Sequence, residues 1–313
     1  KYGYILMSEH YYGISFAILA SILWSITVTL IKPITNNISP FLINPIKNSI
    51  GFLLFSILFI IMNIPFWYNH LSNDQYIIIL ISGSLGMVLG DTIFIYALNK
   101  IGANRVAIVD AFSPVVIYSY SLLLLPHQSL VFVQIIGFIV TITGLLILTY
   151  EKDYEDIDYQ VKRSGILLVL LAMACTGFGV VYLKTVLIDI NKETYDIKLN
   201  LWVTAFRLLP GVILSWVIFL FQKNKTKLLL PLKKKNNMIP LIIASITGPF
   251  LALGFWILGY AFIAMPSIAS IIGQTSVIFI VLLSWIFLRE KLTVLRIISM
   301  ICVFIGVIFV AIK

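Results

Sequence analysis

Four ionisable side chains sit inside otherwise apolar stretches of this sequence: Lys47, Asp91, Asp110 and Arg207. A carboxylate in such surroundings can hold an ammonium group or carry a proton, and a guanidinium offers a two-pronged donor to a carboxylate or phosphate. Facing lipid, each would cost about 2.5–3.5 kcal/mol, roughly 10–14 kcal/mol for the four, against a typical net stability of about 5–15 kcal/mol. They are therefore expected to face a protein interior or a wet cavity. Asp91 lies deepest, next to Gly90 in a run with Gly83 and Gly86, and small residues at such spacing let a neighbouring helix come close. It reads either as the group that binds a substrate ammonium or a coupling proton, or as one half of a buried salt bridge to Lys47 or Arg207. Lys47 and Asp110 stand about two turns from a helix end, where a long side chain can also reach the interface.

Around these charges the candidates for a binding wall are Trp24, Tyr96, Trp256, Tyr260, Gln274 and Ser276. Aromatic walls with a few polar groups suit a small apolar or aromatic ligand, although Trp and Tyr also belong to ordinary packing and to interfacial belts. An acid together with a base would suit a zwitterion such as an amino acid. His10, His70 and His127 fall at the edges of apolar runs without ligand spacing, so no metal site is expected. No P-loop motif is present, and neither a cofactor nor direct ATP drive is expected.

The elements that must position these groups follow from composition. The chain has 313 residues, 60% hydrophobic and 11% charged, with a mean hydropathy of +1.04. Soluble domains carry about a quarter charged residues, so the chain reads as an integral membrane protein. Its net charge of +9 does not point to nucleic acid, because the basic residues lie in loops between apolar runs. Cys175 and Cys302 lie inside apolar runs and read as small buried residues. Spans need about 20 apolar residues, and ten such windows fall at 12–31, 41–62, 76–98, 104–124, 130–150, 164–188, 199–221, 239–262, 267–287 and 293–312. The first follows Glu9 and His10 with no basic segment or cleavage site before it, and reads as a retained helix.

The charged stretch 151–163 divides the windows into two sets of five, 12–150 and 164–312, which are weakly self-similar. LWSITVTLIKP matches CTGFGVVYLKT and sets Lys32 on Lys184; FLINPIKNSIG matches LWVTAFRLLPG and sets Lys47 on Arg207. The pair of helices over 84–117, joined by a polar hairpin at 99–104, returns over 247–280 without either acid. Tyr96-Ala97-Leu98 then matches Tyr260-Ala261-Phe262, and Ser113 matches Ser276. Five being odd, the second set enters the membrane from the opposite side. The expected fold is all-α, ten transmembrane helices as two inverted five-helix repeats, an arrangement suited to secondary transport.

The chain resembles the drug/metabolite transporter superfamily, and within it the EamA-type proteins. The resemblance rests on Leu288-Arg289-Glu290-Lys291-Leu292-Thr293 with Gly306-Val307, and on Gly90-Asp91-Thr92, Ala97-Leu98 and Gly102-Ala103. Arg289 replaces the usual Gly, and 125–130 lacks the corresponding ending in the first repeat. The resemblance implies a ten-helix transporter of small metabolites in the cell membrane. It also implies cytoplasmic termini, whereas the basic loops after windows 1, 3, 5, 7 and 9 put that side in the cytoplasm and the termini outside.

Together these readings predict a secondary-active carrier, not an enzyme, exporting amino acids or related metabolites by alternating access. Bends are expected near 83–90, Pro114, Gly248-Pro249 and Pro266. The expected partners are a small-molecule metabolite, a coupling proton and membrane lipids, with no nucleic acid. The same fold could instead move a sugar phosphate, nucleotide sugar or lipid-linked sugar on Lys47 and Arg207. A passive channel and a membrane enzyme are the rivals from other classes. The sequence leaves oligomeric state open.

Overall fold

Helix starts and stops are set by short-range chemistry. Ser72 accepts from the backbone of Gln75 while the Gln75 side chain accepts from the backbone of Ser72, a reciprocal cap. Asp158 and Asp196 cap the helices that follow them. Pro40, Pro114 and Pro266 stand in the first helical turns, where a missing N–H leaves nothing unpaired. Asn63, with φ of 52°, closes a helix in the left-handed region.

The computed structural model describes residues 2–102, 106, 109–110, 112–125, 129–149, 158–192, 195–288 and 293–311. In the first half these form α1 (Tyr2–Ile34), α2 (Pro40–Met62), α3 (Asn73–Gly83), a π-helical segment (Ser84–Gly90), α4 (Asp91–Ile101), α5 (Ser113–Leu124) and α6 (Phe132–Thr149). In the second they form α7 (Tyr159–Ile190), α8 (Ile197–Leu220), the short α9 (Lys225–Leu229) and α10 (Lys235–Ser245). A second π segment (Ile246–Ala252) then leads to α11 (Leu253–Phe262), α12 (Pro266–Gly273), α13 (Thr275–Leu288) and α14 (Val294–Ala311). Seven helices among the described residues are long and apolar enough to cross a membrane. Shorter apolar helices, Ser113–Leu124, Phe132–Gly144 and Ile297–Ala311, occupy the three remaining windows. Residues 289–292, which carry the middle of the L-R-E-K-L-T motif, and His127 lie outside the described residues.

The two halves interlock. The stretch α3–π–α4 packs on α7, with α3 and its π segment also reaching α8, while α10 and its π segment pack on α1 and α2. Symmetric pairs complete the scheme: α2 on α8, α1 on α13 with α5 on α7, and α6 on α14. Each half thus supplies the wall against which the other's third helix lies. Departures from regular α geometry fall where bends were expected, at 84–90, 246–252, and the starts of α5 and α12. The turns at 35–39 and 221–234 mark one face of the bundle; those at 63–72 and 263–265, with the end of α7 at 191–192 and the start of α8 at 195–196, mark the opposite face. On the first face Phe221 is exposed, and so are Lys223, Lys225, Lys227, Lys233, Lys234 and Lys235.

Candidate functional site

A cavity of about 190 Å³ opens where the halves meet. α1 contributes Ser21 and Trp24, α2 contributes Lys47, and the first third helix contributes Met87, Gly90, Asp91 and Phe94. From the second half come Thr176 of α7, Gly248, Pro249, Trp256 and Tyr260, and then Gln274 and Ser276. Asp110 and Ser113 flank the start of α5 and complete the wall. Of the sequence candidates, Trp24, Lys47, Asp91, Asp110, Trp256, Tyr260, Gln274 and Ser276 are therefore brought together around one space. Tyr96 is not: it is exposed on another face of its helix, against Phe41. Arg207 stands behind the wall.

The Lys47 ammonium donates to Asp91 at 2.5 Å. Lys47 is almost wholly buried, and the Asp91 side chain keeps 15% of its surface open. A polar stripe on α2 holds this pair in place. Asn44 Nδ2 lies 2.9 Å from the Met87 carbonyl and 2.8 Å from Thr92 Oγ1, and Asn48 Nδ2 lies 3.3 Å from the same carbonyl. Met87 belongs to the π segment, whose wide turn leaves a carbonyl open to side-chain donors. Asn44, Lys47 and Asn48 stand at i, i+3 and i+4, one helical face. That spacing was available in the sequence, and reading only for ionisable groups passes over the two amides.

Arg207 is completely buried. Its Nε donates to Ser82 Oγ at 2.8 Å, and its guanidinium carbon lies 5.4 Å from the centre of the Trp256 ring, a cation–π arrangement. Neither terminal nitrogen has a hydrogen-bond partner among the described residues. Gly86 makes the room: a Cβ there would fall 2.6 Å from Arg207 Nη2. Trp256 thus lines the cavity while Arg207, packed against its ring, stays outside the lining.

Asp110 has a different setting. It lines the cavity half-buried, and no ion pair or hydrogen bond holds its carboxylate among the described residues. Nearby surfaces are aromatic: Trp24 and Phe94 are 6.0 Å apart, and Trp256 and Tyr260 are 4.6 Å apart. Phe94 escaped the sequence reading, yet it is three residues from Asp91 and must share its face; Tyr96, five residues on, need not. Two hydroxyls of α1 fix the far wall, Ser21 Oγ donating to Gly273 O at 3.1 Å and Ser25 Oγ to Ser276 O at 3.2 Å. The arrangement can accept a cation at Asp110 and an apolar body against the rings. An anion entering it would meet one cation already neutralised, Lys47, while Arg207 lies outside the lining.

The sequence profile of the EamA-like transporter family matches residues 11–150 and 163–312. The chain belongs to the EamA-like transporter family. Two matched segments meeting at one cavity agree with the interlocked halves, and membership makes this EamA-like chain an integral membrane transporter of small molecules. No curated protein matches it. A solved crystal structure of another protein shares the fold, with a TM-score of 0.70 at 16% identity over 95% of each chain.

Proposed function

We propose that this EamA-like chain is a secondary-active exporter of amino acids or related zwitterionic metabolites. It works by alternating access, with ten spans arranged as two inverted repeats. The observation that carries the reading is the distribution of charge around the cavity. Asp110 presents a carboxylate with no partner among the described residues, while Lys47 is spent on Asp91 and Arg207 lies against Trp256 outside the cavity lining. An ammonium group seated on Asp110 gains a charge-assisted hydrogen bond. The carboxylate of the same molecule meets neutral donors, Gln274, Thr176 and Ser113. Among the described lining residues a phosphate dianion would face the Asp110 carboxylate with no free cation to offset it, which weighs against sugar-phosphate cargo.

The position of the cavity supports a carrier as well. It lies between the halves, where rocking of one repeat against the other would expose it to each side in turn. Asp110 is the group on which a coupling proton and a substrate ammonium would compete.

The test is counterflow in proteoliposomes with amino acids, their decarboxylated amines and a sugar phosphate as cargo. Amino acids on the trans side are expected to accelerate uptake, and the sugar phosphate to have no effect. Acceleration by the sugar phosphate alone would reverse the substrate class, and absence of trans-acceleration by any cargo would remove the carrier reading. Thermal-shift screening of the purified protein ranks the candidates beforehand.

A further inference from the structure

Lys184 of α7 is not among the residues that line the cavity, is 2% exposed, and yet its ammonium is held by three backbone carbonyls. Its ammonium donates to the carbonyls of Tyr260 at 2.6 Å, Ile263 at 2.8 Å and Ala261 at 3.4 Å. Two of these are among the last carbonyls of α11 and the third follows it, groups that a helix end leaves without intrahelical donors. A cation is favoured there by the aligned peptide dipoles. No carboxylate pairs with Lys184 among the described residues. A buried ammonium is tolerated only where such bonds replace water, so the three acceptors tie α7 to one place, the elbow at 263–265.

That elbow joins two cavity walls. Tyr260 lines the cavity before it, and Ser270, Gly273 and Gln274 line it afterwards. The first repeat presses on the same point. Gly13 of α1 is so close that a Cβ would lie 2.8 Å from Ile263 Cγ1, and Phe16 meets Phe262 edge-on at 5.6 Å. Tyr195 stacks on Phe262 at 4.6 Å. Beyond the elbow α12 lies against α5 and α1, on the side of the cavity nearer the 263–265 turn, and α13, past the break at Gln274, packs on α1 as well. To open on that face, α12 has to part from α5, and the elbow is where the chain turns.

We propose that Lys184 is the positioning residue that locks this face: by holding the elbow it keeps α12 on α5, and its release accompanies opening. The proposal rests on the alternating-access reading above. The repeat adds a reciprocal half. Lys32 matches Lys184 in the internal alignment and stands at the corresponding end of α1. There Asn99 Nδ2 ties the end of α4 to Thr35 O at 2.7 Å. The same logic makes Lys32 the lock of the opposite face in the alternate state.

The experiment uses the full chain with Cys175 and Cys302 replaced by Ser and one cysteine placed at Ser270. A membrane-impermeant maleimide is applied from each face in vesicles of defined orientation, and the ratio of the two labelling rates is read. With Lys184 present, labelling is expected to favour the face of the 221–234 turn. Lys184→Met should shift the ratio toward the opposite face by tenfold or more, Lys184→Arg should keep it, and Lys32→Met should not shift it in the Lys184→Met direction. A ratio unmoved by Lys184→Met in protein that still elutes as a folded species overturns the lock. Should that variant not fold, Gly13→Ala, which wedges the elbow from α1, must shift the ratio the same way, and an unmoved ratio there overturns the proposal equally. Equal labelling from both faces before any change at Lys184 would show that this face is not held shut and would also overturn the lock, whereas absence of trans-acceleration in counterflow is what overturns alternating access.

Discussion

The two third helices of the repeats, α3–π–α4 and α10–π–α11, are alike in backbone and opposite in chemistry. Each breaks into a seven-residue π segment, 84–90 in one and 246–252 in the other, and each is held by the first two helices of the other repeat. The first carries Asp91, neutralised at 2.5 Å by Lys47. The second has Gly254 and Phe255 in the matching neighbourhood. Arg207, which stands where Lys47 stands in the internal alignment, donates among the described residues to the Ser82 hydroxyl of the first repeat and lies over Trp256. Duplication therefore conserves the shape of the wall while the charge is free to differ. One repeat supplies acid, the other a shielded base and rings, and a cavity between them is polarised in a way that two identical repeats could not achieve.

The largest test of that contrast is stability. Lys47→Met should cost about 3–5 kcal/mol, because removing one partner leaves a largely buried carboxylate unpaired. The double variant Lys47→Met/Asp91→Leu should regain most of the loss, as read by chemical or thermal unfolding in detergent. Arg207→Met orphans no carboxylate and should cost less, about 1–3 kcal/mol for the lost hydrogen bond to Ser82 and packing. Equal losses for Lys47 and Arg207 would break the comparison.

Next comes binding. Asp110→Asn should weaken a substrate ammonium by roughly tenfold or more, the scale of a hydrogen bond to a charged group, with little change in unfolding. An equal effect from Gln274→Leu would mean that the site does not depend on the carboxylate. A smaller and purely steric test compares the matched glycines. A Cβ on Gly90 would fall 2.2 Å from Thr176 Oγ1, but one on Gly254 would find its nearest atom, Phe55 Cζ, at an ordinary 3.5 Å. Gly90→Ala should cost about 1–3 kcal/mol. Gly254→Ala should be neutral or stabilising by up to about 1 kcal/mol, with both measured by the same unfolding assay.

Much of this architecture is legible in residue order alone. Apolar runs of about 20 residues mark the spans, and the two-fold relation shows in matches such as Lys47 with Arg207. The buried charges announce themselves because their burial is costly, and four residues with that property mark the region of the cavity. What residue order does not reveal is who pairs with whom. Asp91 has two basic neighbours of equal promise in the sequence, and only the approach of α2 through Asn44 and Asn48 decides for Lys47. Tyr96 and its match Tyr260 were both expected beside the cavity, but Tyr260 lines the cavity and Tyr96 faces Phe41. Tyr96 lies six residues past the end of its π segment and Tyr260 eight past the end of its own, so matched letters do not carry matched directions. Thr176 and Phe94 are ordinary helix residues by type; geometry alone selects them.

The π segments also act as counters of phase. An α-helix turns about 100° per residue, and a π turn accommodates one more residue than the regular count. Every side chain from Asp91 onward owes its azimuth to that extra residue. Deleting one residue between 84 and 90 would leave the span apolar and long enough to cross, yet turn Asp91 and Phe94 by about a quarter of the helix circumference. Deletion of one residue from the regular stretch of α3 would instead be felt on both sides of the segment. A length variant thus separates what holds this helix in the bilayer from what aims it, a distinction that no point substitution makes.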